Sequence, residues 1–350
     1  MLEEIFTFDN LYQALKDSCS NVRWKDSVIS YESNGLKNTL KLQKELLNGT
    51  YKPRKYVEKI VYEPKKRKIL CVALRDRQVQ HCLCDNYLYD ELTKHFIYDN
   101  FAGQYRKGNH KFVKRVTHHL SNYYRENKTN EGYALTCDIQ KFFQSIPHSV
   151  VKKLIRKYIN EPDVIKLLDL IIDSYAGDFG FDPGAHVIQL LALAVLNPMD
   201  HIIKEKLHIK YYIRYNDDFV LIHKSKSYLK HCLSVIRIHL KNIGLTLKER
   251  KTKIIRLSNG FKILHWRFKL TKSGKVLRLA EKTKLGRFRR KYTKMIKLHR
   301  NVKTLNDYRR SFRDDLKLGN TRFIIQRVEN FTKEMEKTYE STFRNSISFC

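Results

Sequence analysis

The tetrapeptide Tyr215-Asn216-Asp217-Asp218 stands between two apolar runs of β type. Lys210-Tyr211-Tyr212-Ile213-Arg214 leads into it and Phe219-Val220-Leu221-Ile222-His223 leads out. This is a strand-turn-strand pattern with an acidic pair at its tip. Adjacent carboxylates on an apolar hairpin repel each other and lose hydration, which is costly unless a cation neutralises them. Asn and Asp also favour turns for their own backbone reasons, so the tetrapeptide alone is equally well read as a plain hairpin. A second segment weighs against that reading. Tyr133-Ala134-Leu135-Thr136-Cys137 leads into Asp138, and Ile139-Gln140-Lys141-Phe142-Phe143 follows it. Carboxylates at strand ends, supplied by two separate segments, form the ligand set of a two-Mg²⁺ phosphoryl-transfer site, whose ions lie about 4 Å apart. Asp138, Asp217 and Asp218 are therefore the expected catalytic and metal-binding residues, with Mg²⁺ (or Mn²⁺) as the cofactor.

The charge balance points the same way. Against 69 Lys and Arg stand 36 Asp and Glu, a formal net charge of +33. An excess of this size repels itself in a compact chain unless a polyanion occupies it. The cations are spread, with dense patches at 52–68, 204–214, 248–256 and 282–303, which suggests an extended track rather than one pocket. Nucleic acid is favoured over an anionic membrane, because 12% aromatics are interleaved and no lipidation signal is found. No run is expected to be long and apolar enough to span a bilayer, and residues 1–5 lack a signal-peptide pattern, so the expected location is the cytoplasm. The seven cysteines form no C-x-x-C pair, which predicts reduced core thiols. Nor do the fourteen histidines show metal spacing.

Periodicity predicts helices over 1–50, then a β-hairpin from residues 56–62 and 67–72 around the basic turn Glu63-Pro64-Lys65-Lys66. Helices are expected at 75–95, 112–124, 148–175, 187–199 and 228–242, and strands at 253–256, 262–270 and 275–278. From 280 onward the chain reads as basic and helical. The order of elements around Asp138 and Asp217 fits a split βαβ, ferredoxin-like α+β core, an antiparallel sheet with helices on one face. In such a core the first and third strands lie side by side, so Asp138 and Asp217 can meet.

Several ordered motifs between about residues 51 and 278 resemble those of a bacterial reverse transcriptase, of the group II intron-like, diversity-generating and antiphage-defence class. Residues 133–146 (YALTCDIQKFFQSI) resemble the first catalytic motif, and 214–219 (RYNDDF) the Y-x-D-D hairpin. Residues 63–77 (EPKKRKILCVALRDR) resemble the fingers segment, and 101–111 (FAGQYRKGNHK) the loop that follows it. Residues 244–252 (GLTLKERKT) and 260–268 (GFKILHWRF) resemble the last two palm motifs, the latter forming the primer grip. Two positions depart from the pattern: Ile188 stands where Ser is usual, and His265 where Gly is usual. No recognisable maturase or endonuclease domain follows, and the compact length suits a diversity-generating, retron-like or defence enzyme.

The resemblance implies a right-hand polymerase: fingers over 1–130 with the hairpin 56–73, a palm over 131–270 with a helical insertion near 150–182, and a basic thumb over 271–350. It implies metal ligation by Asp138, the Ile139 backbone, Asp217 and Asp218. Phe143 would be the steric gate, its ring excluding a ribose 2′-OH by clash; Phe142 is the alternative. Arg67, Lys68 and Arg75 would grip the triphosphate by charge-assisted bonds. Gly184 and Gln189 would lie along the template and nascent base pair, and Lys251 would assist proton transfer to pyrophosphate. The expected activity is RNA-directed DNA synthesis from dNTPs on a structured non-coding RNA, in antiphage defence. Targeted mutagenesis is the alternative role. A protein partner or homo-oligomer is compatible with this reading. An RNA-directed RNA polymerase is disfavoured by Phe143, and a catalytically silent RNA-binding scaffold by the intact carboxylates. The charge has a direct consequence: log K for RNA should fall linearly with log salt, by roughly 0.7–0.9 per neutralised phosphate. Filter binding across a salt series checks this, and a flat titration contradicts the extended track.

Overall fold

The structure, a computed structural model, describes residues 1–62, 67–298 and 300–347. The chain opens with α1 (Leu2–Ile5), α2 (Phe8–Cys19), α3 (Asp26–Ser33) and α4 (Gly35–Leu47), then the hairpin β1 (Val57–Val61) and β2 (Arg67–Cys71). Helices α5 (Leu74–Leu83), α6 (Tyr89–Thr93) and α7 (Asn109–Asn127) precede strand β3 (Tyr133–Asp138). Next come α8 (Phe142–Ser145), α9 (His148–Tyr158), α10 (Pro162–Asp173), α11 (His186–Val195) and α12 (Asn197–His201). The hairpin β4 (Tyr211–Tyr215) and β5 (Asp218–His223) is followed by α13 (Lys226–Asn242). Strands β6 (Lys253–Arg256), β7 (Phe261–Ile263), β8 (Trp266–Leu270) and β9 (Val276–Ala280) lead to α14 (Lys282–Lys297), α15 (Val302–Leu316) and α16 (Arg322–Ile347).

These elements sort into two compact units, each built from discontinuous segments. The first comprises Met1–Gln104, Ile139–His208 and Cys232–Lys248; the second comprises Tyr105–Asp138, Ile209–His231 and Glu249–Cys350. The segment expected to form the palm, 131–270, thus contributes to both.

In the first unit α2 packs along α5. Buried Gln78 ties that layer to α4, donating to the Leu11 carbonyl at 2.9 Å and to Thr39 Oγ1 at 3.0 Å. The expected single helix over 148–175 is two helices, because Pro162 lacks an N–H and starts α10 as a first-turn residue. The expected helix near 75–95 runs from α5 through a π-helical turn (Cys84–Leu88) into α6. The helical run His186–Lys206 corrects the expectation about membrane spans. It is long and apolar enough to cross a bilayer, yet 72% of its most apolar stretch is buried, which fits a core helix. Ile188, the departure from the family pattern, belongs to that core at 1% exposure.

The second unit carries the four-stranded antiparallel sheet β4-β5-β3-β6, with β3 and β5 side by side as expected of a split βαβ core. A second sheet, β7-β8-β9, is also antiparallel. Its first two strands replace the expected single strand 262–270. They are joined by Leu264 and His265 at φ 45° and 66°, a turn that needs the left-handed region at both positions. That geometry explains why a glycine suits position 265, and His is among the residues that tolerate it.

Helices α14–α16 bury Phe288, Tyr292, Ile296, Leu316 and Val328 as their own core, with Phe288 stacked on Phe312 at 4.2 Å. This bundle is stitched to the β7-β8-β9 sheet by Asn320. Its N–H donates to the Arg278 carbonyl at 2.8 Å and its Oδ1 accepts from Arg278 N at 2.8 Å. Lys284, ion-paired with Asp315, lies 4.6 Å over the buried Trp266 ring. Gly319 completes the joint: a Cβ there would overlap the Trp266 ring and come within 2.8 Å of the Arg278 carbonyl. Gly319→Ala should therefore cost about 1–3 kcal/mol by overpacking. Thermal unfolding measures it, and an unchanged midpoint contradicts the close approach.

Candidate active site

The acidic site is built on the second unit's sheet. Strand β3 pairs with β5 in a register that sets Asp138 opposite Asp218, and β4 pairs with β5 so that Tyr215 faces Asp218. Asn216 and Asp217 form the two-residue turn between them. Asn216 takes φ 53°, a left-handed conformation that Asn adopts readily. Arg214, fully buried, donates to the Asn216 carbonyl at 3.0 Å and pins the turn. The chain thus brings the carboxylates to one strand end by pairing register and a tight turn.

One cation is already among them. Lys251 Nζ is bonded to Asp138 Oδ2 and lies 3.9 Å from Asp218 Oδ1. Thr136 Oγ1 donates to the carbonyls of Lys251 and Lys253 at 3.3 and 3.4 Å, fixing the backbone that delivers this lysine. Burial tends to lower the Lys251 pKa, but the Asp138 bond and the charges of Asp218, Asp138 and Asp217 outweigh it and raise it. Asp218 is pushed up to about 7, first by loss of hydration and then, against the pull of Lys251, by the charges of Asp217 and Asp138. Asp217 is raised too, chiefly by burial and also by Asp138. A single lysine leaves this cluster short of positive charge. No three acidic, histidine or cysteine side chains among the described residues already close on one point as a metal cage. The ammonium stands where cation charge is needed.

The other expected site residues lie in the first unit. Phe142 is 3% exposed and belongs to the core, whereas Phe143 is half-buried with its ring 5.3 Å from that of Phe142. Of the two, Phe143 is the one with free ring surface. Ile139 is buried and bridged to Leu247, and Gln140 N donates to the Thr246 carbonyl at 2.9 Å. Lys68 is exposed on β2 and paired with Glu58 at 2.6 Å. The Arg67 backbone pairs with Val61, and the turn residues Glu63 to Lys66 lie outside the described residues.

Arg75 differs from expectation. Its guanidinium is ion-paired with Glu45, donates to the Lys52 carbonyl at 3.2 Å and lies 5.0 Å from the Tyr51 ring centre, with 12% of its side chain exposed. It holds the N-terminal helices to α5, with one donor on Glu45 and another on the Lys52 carbonyl. Gly184 also has a local explanation. It lies outside the left-handed region, and its N–H donates to Asp182 Oδ1 at 2.9 Å. Asp182, which the sequence did not single out, accepts from Leu70 N at 2.8 Å through its other oxygen, and so ties β2 to this loop. Gln189 is exposed and donates back to the Pro183 carbonyl. The signal for Asp182 was an acid beside Pro-Gly, but its partner is distant in sequence.

An antiparallel sheet with acids at one strand end and a helical bundle behind a second sheet define a mixed α+β polymerase-type fold of nucleotidyl-transferring enzymes. Residues 63–268 match the family model for reverse transcriptase (RNA-dependent DNA polymerase), and the chain belongs to that family. Among solved structures, the chain is similar to apo telomerase from Candida tropicalis, with TM-score 0.52, 13% identity and coverage of 82% of this chain and 57% of that one. A form of that telomerase truncated from its C-terminal domain matches at TM-score 0.49, 14% identity and coverage of 64% and 55%. Telomerase from Candida albicans in complex with a fragment of telomeric RNA matches at TM-score 0.49, 9% identity and coverage of 87% and 65%. The chain thus spans between 55% and 65% of the length of these proteins. No curated protein matches the sequence.

The raised acids give a pH signature with a definite sign. Between the ordinary value of 3.8 and about 7, folded Asp218 keeps a proton that the unfolded chain releases. Stability without divalent cations therefore falls as pH rises through that window. Asp218→Asn should remove most of this loss, giving a higher melting temperature than wild type at pH 8 and a similar one at pH 4. An equal difference at both pH values in metal-free buffer contradicts the assignment.

Proposed function

We propose that this chain is an RNA-directed DNA polymerase that extends a DNA strand from dNTPs on a structured non-coding RNA template. The single observation that carries this reading is the pairing of Asp138 with Asp218 at the strand end that also bears Asp217. Family membership supports the reaction, and the net charge of +33 supports a nucleic acid partner.

The donor set fits Mg²⁺. Its groups are hard carboxylate oxygens, and Asp218 is raised to about 7, chiefly by burial and then by the charges of Asp217 and Asp138, even beside Lys251. Asp138, the Ile139 backbone, Asp217 and Asp218 would hold two Mg²⁺ (or Mn²⁺). Such ions supply activation of the attacking oxygen and stabilisation of the leaving one. The chain's own residues do the rest. Arg214 holds the Asp217 turn rigid, and Thr136 fixes the Lys251 backbone. Lys251 carries a proton on Nζ at the same strand end, available to the pyrophosphate leaving group. Phe143 supplies the bulk that rejects a 2′-OH. Arg67 and Lys68 would supply charge-assisted bonds to the triphosphate, and Gly184 and Gln189 would take the template. Fingers over 1–130, palm over 131–270 and basic thumb over 271–350 are the corresponding divisions. A bacterial enzyme of the group II intron-like, diversity-generating and defence class, acting in the cytoplasm in antiphage defence, is the reading that the motif order supports.

Asp138→Asn and Asp217→Asn should each abolish nucleotide incorporation while leaving RNA binding largely intact, because each removes a ligand from a site that stabilises transition-state charge by several kcal/mol. Primer extension with a parallel binding assay checks this. Incorporation within about tenfold of wild type by either variant overturns the reading, as does loss of RNA binding in step with activity.

A further inference from the structure

Two cavities of the first unit lie along α4, and neither involves the acidic strand end. One, about 570 Å³, is lined by Lys37, Lys41 and Lys44 around the half-exposed Leu40. The other, about 480 Å³, is lined by Lys52, Arg54 and Arg75. Lys41, Glu45 and Thr50 border both, so the two form one continuous trough.

Its charge is one-sided. Among the described residues that line it, the only carboxylate is Glu45, which is neutralised by its ion pair with Arg75. Lys37, Lys41, Lys44, Lys52 and Arg54 are exposed, and none has a carboxylate partner within ion-pair range among the described residues. The floor is held, since Gly35, Thr39, Leu42 and Leu46 of α4 are buried and Gln78 bonds to Thr39 Oγ1 at 3.0 Å. Successive lysines of α4 are about one helical turn apart, so they rise about 4.5–6 Å at each step. A free nucleotide would engage one or two of these cations. A row of five requires a polyanion several phosphates long.

We propose that this trough binds the phosphodiester backbone of RNA, as an anchoring site separate from the residues that carry out chemistry. It deepens the polymerase reading, on which the identity of the RNA as the template-bearing molecule rests: the trough would hold a structured part of that RNA while another part is copied. Contacts of this kind position a nucleic acid without reading its sequence. Leu40, between the lysines, offers apolar contact to sugar edges. An acidic protein could satisfy the same charges but would leave RNA affinity independent of these lysines.

The test uses the full chain with Lys37→Gln, Lys41→Gln and Lys44→Gln combined, and the corresponding Glu triple variant. The side chains are exposed, so melting temperature should stay near that of wild type. Fluorescence anisotropy with a labelled hairpin RNA should show at least tenfold weaker binding at low salt for the Gln triple and more for the Glu triple. The salt slope should shrink by roughly 0.7–0.9 for each phosphate no longer neutralised. Extension of a short pre-annealed RNA template and DNA primer at saturating concentration should remain within about twofold of wild type, since the trough adds binding and not chemistry. Unchanged hairpin affinity overturns the proposal, and an acidic protein partner predicts that result. Loss of short-duplex extension at saturation also overturns it. If wild type fails to extend any primer but the triple variants still lose RNA affinity, the polymerase reading fails and the trough stands.

Discussion

Mutual repulsion among Asp138, Asp217 and Asp218 is the constraint around which the second unit is arranged. Strand pairing forces two of these acids opposite each other, and the turn adds the third. Burial strips their hydration and drives Asp218 to about 7. Such a cluster persists only because the surrounding sheet holds it and because Lys251 supplies part of the missing positive charge. Arg214, buried beneath the turn, and Thr136, anchoring the Lys251 backbone, are needed because the acids would otherwise move apart.

The carboxylates were legible in the sequence because strand alternation fixes which residues reach a strand end, and the order of strands fixes which ends meet. Phe142 and Phe143 could be told apart only in three dimensions: they are adjacent, and burial of the former separates them. The structural partner of Arg75 was hidden from the sequence because Glu45 is thirty residues away, and only the fold reveals that ion pair. Asp182 escaped notice for the same reason, its bond to Leu70 N being non-local. The turn at Leu264 and His265 was hidden because neither residue advertises a left-handed conformation as Asn-Gly would. Local propensity and periodicity are written in sequence neighbours, whereas ion pairs and close approaches depend on distant ones.

Positive charge is handled in two ways. At the α14–α16 bundle it is partly built into structure, as where Lys284 packs over Trp266 and pairs with Asp315. Along the α4 trough it is left exposed and without carboxylate partners among the described residues, a condition that self-repulsion makes unfavourable unless an anion is present. The contrast separates cations that hold the fold from exposed cations that the fold does not use. Composition alone could not draw this line, because Arg75 and Lys41 look alike until their surroundings are known.

The central proposal, that the desolvated acids hold divalent cations, is tested most directly by Mn²⁺ binding. Free Mn²⁺ is followed by electron paramagnetic resonance as it is titrated into protein carrying an RNA template, a DNA primer and a dNTP. The account predicts saturable uptake by wild type that is lost in Asp138→Asn while template-primer and dNTP remain bound. Equal uptake by the two proteins would contradict it.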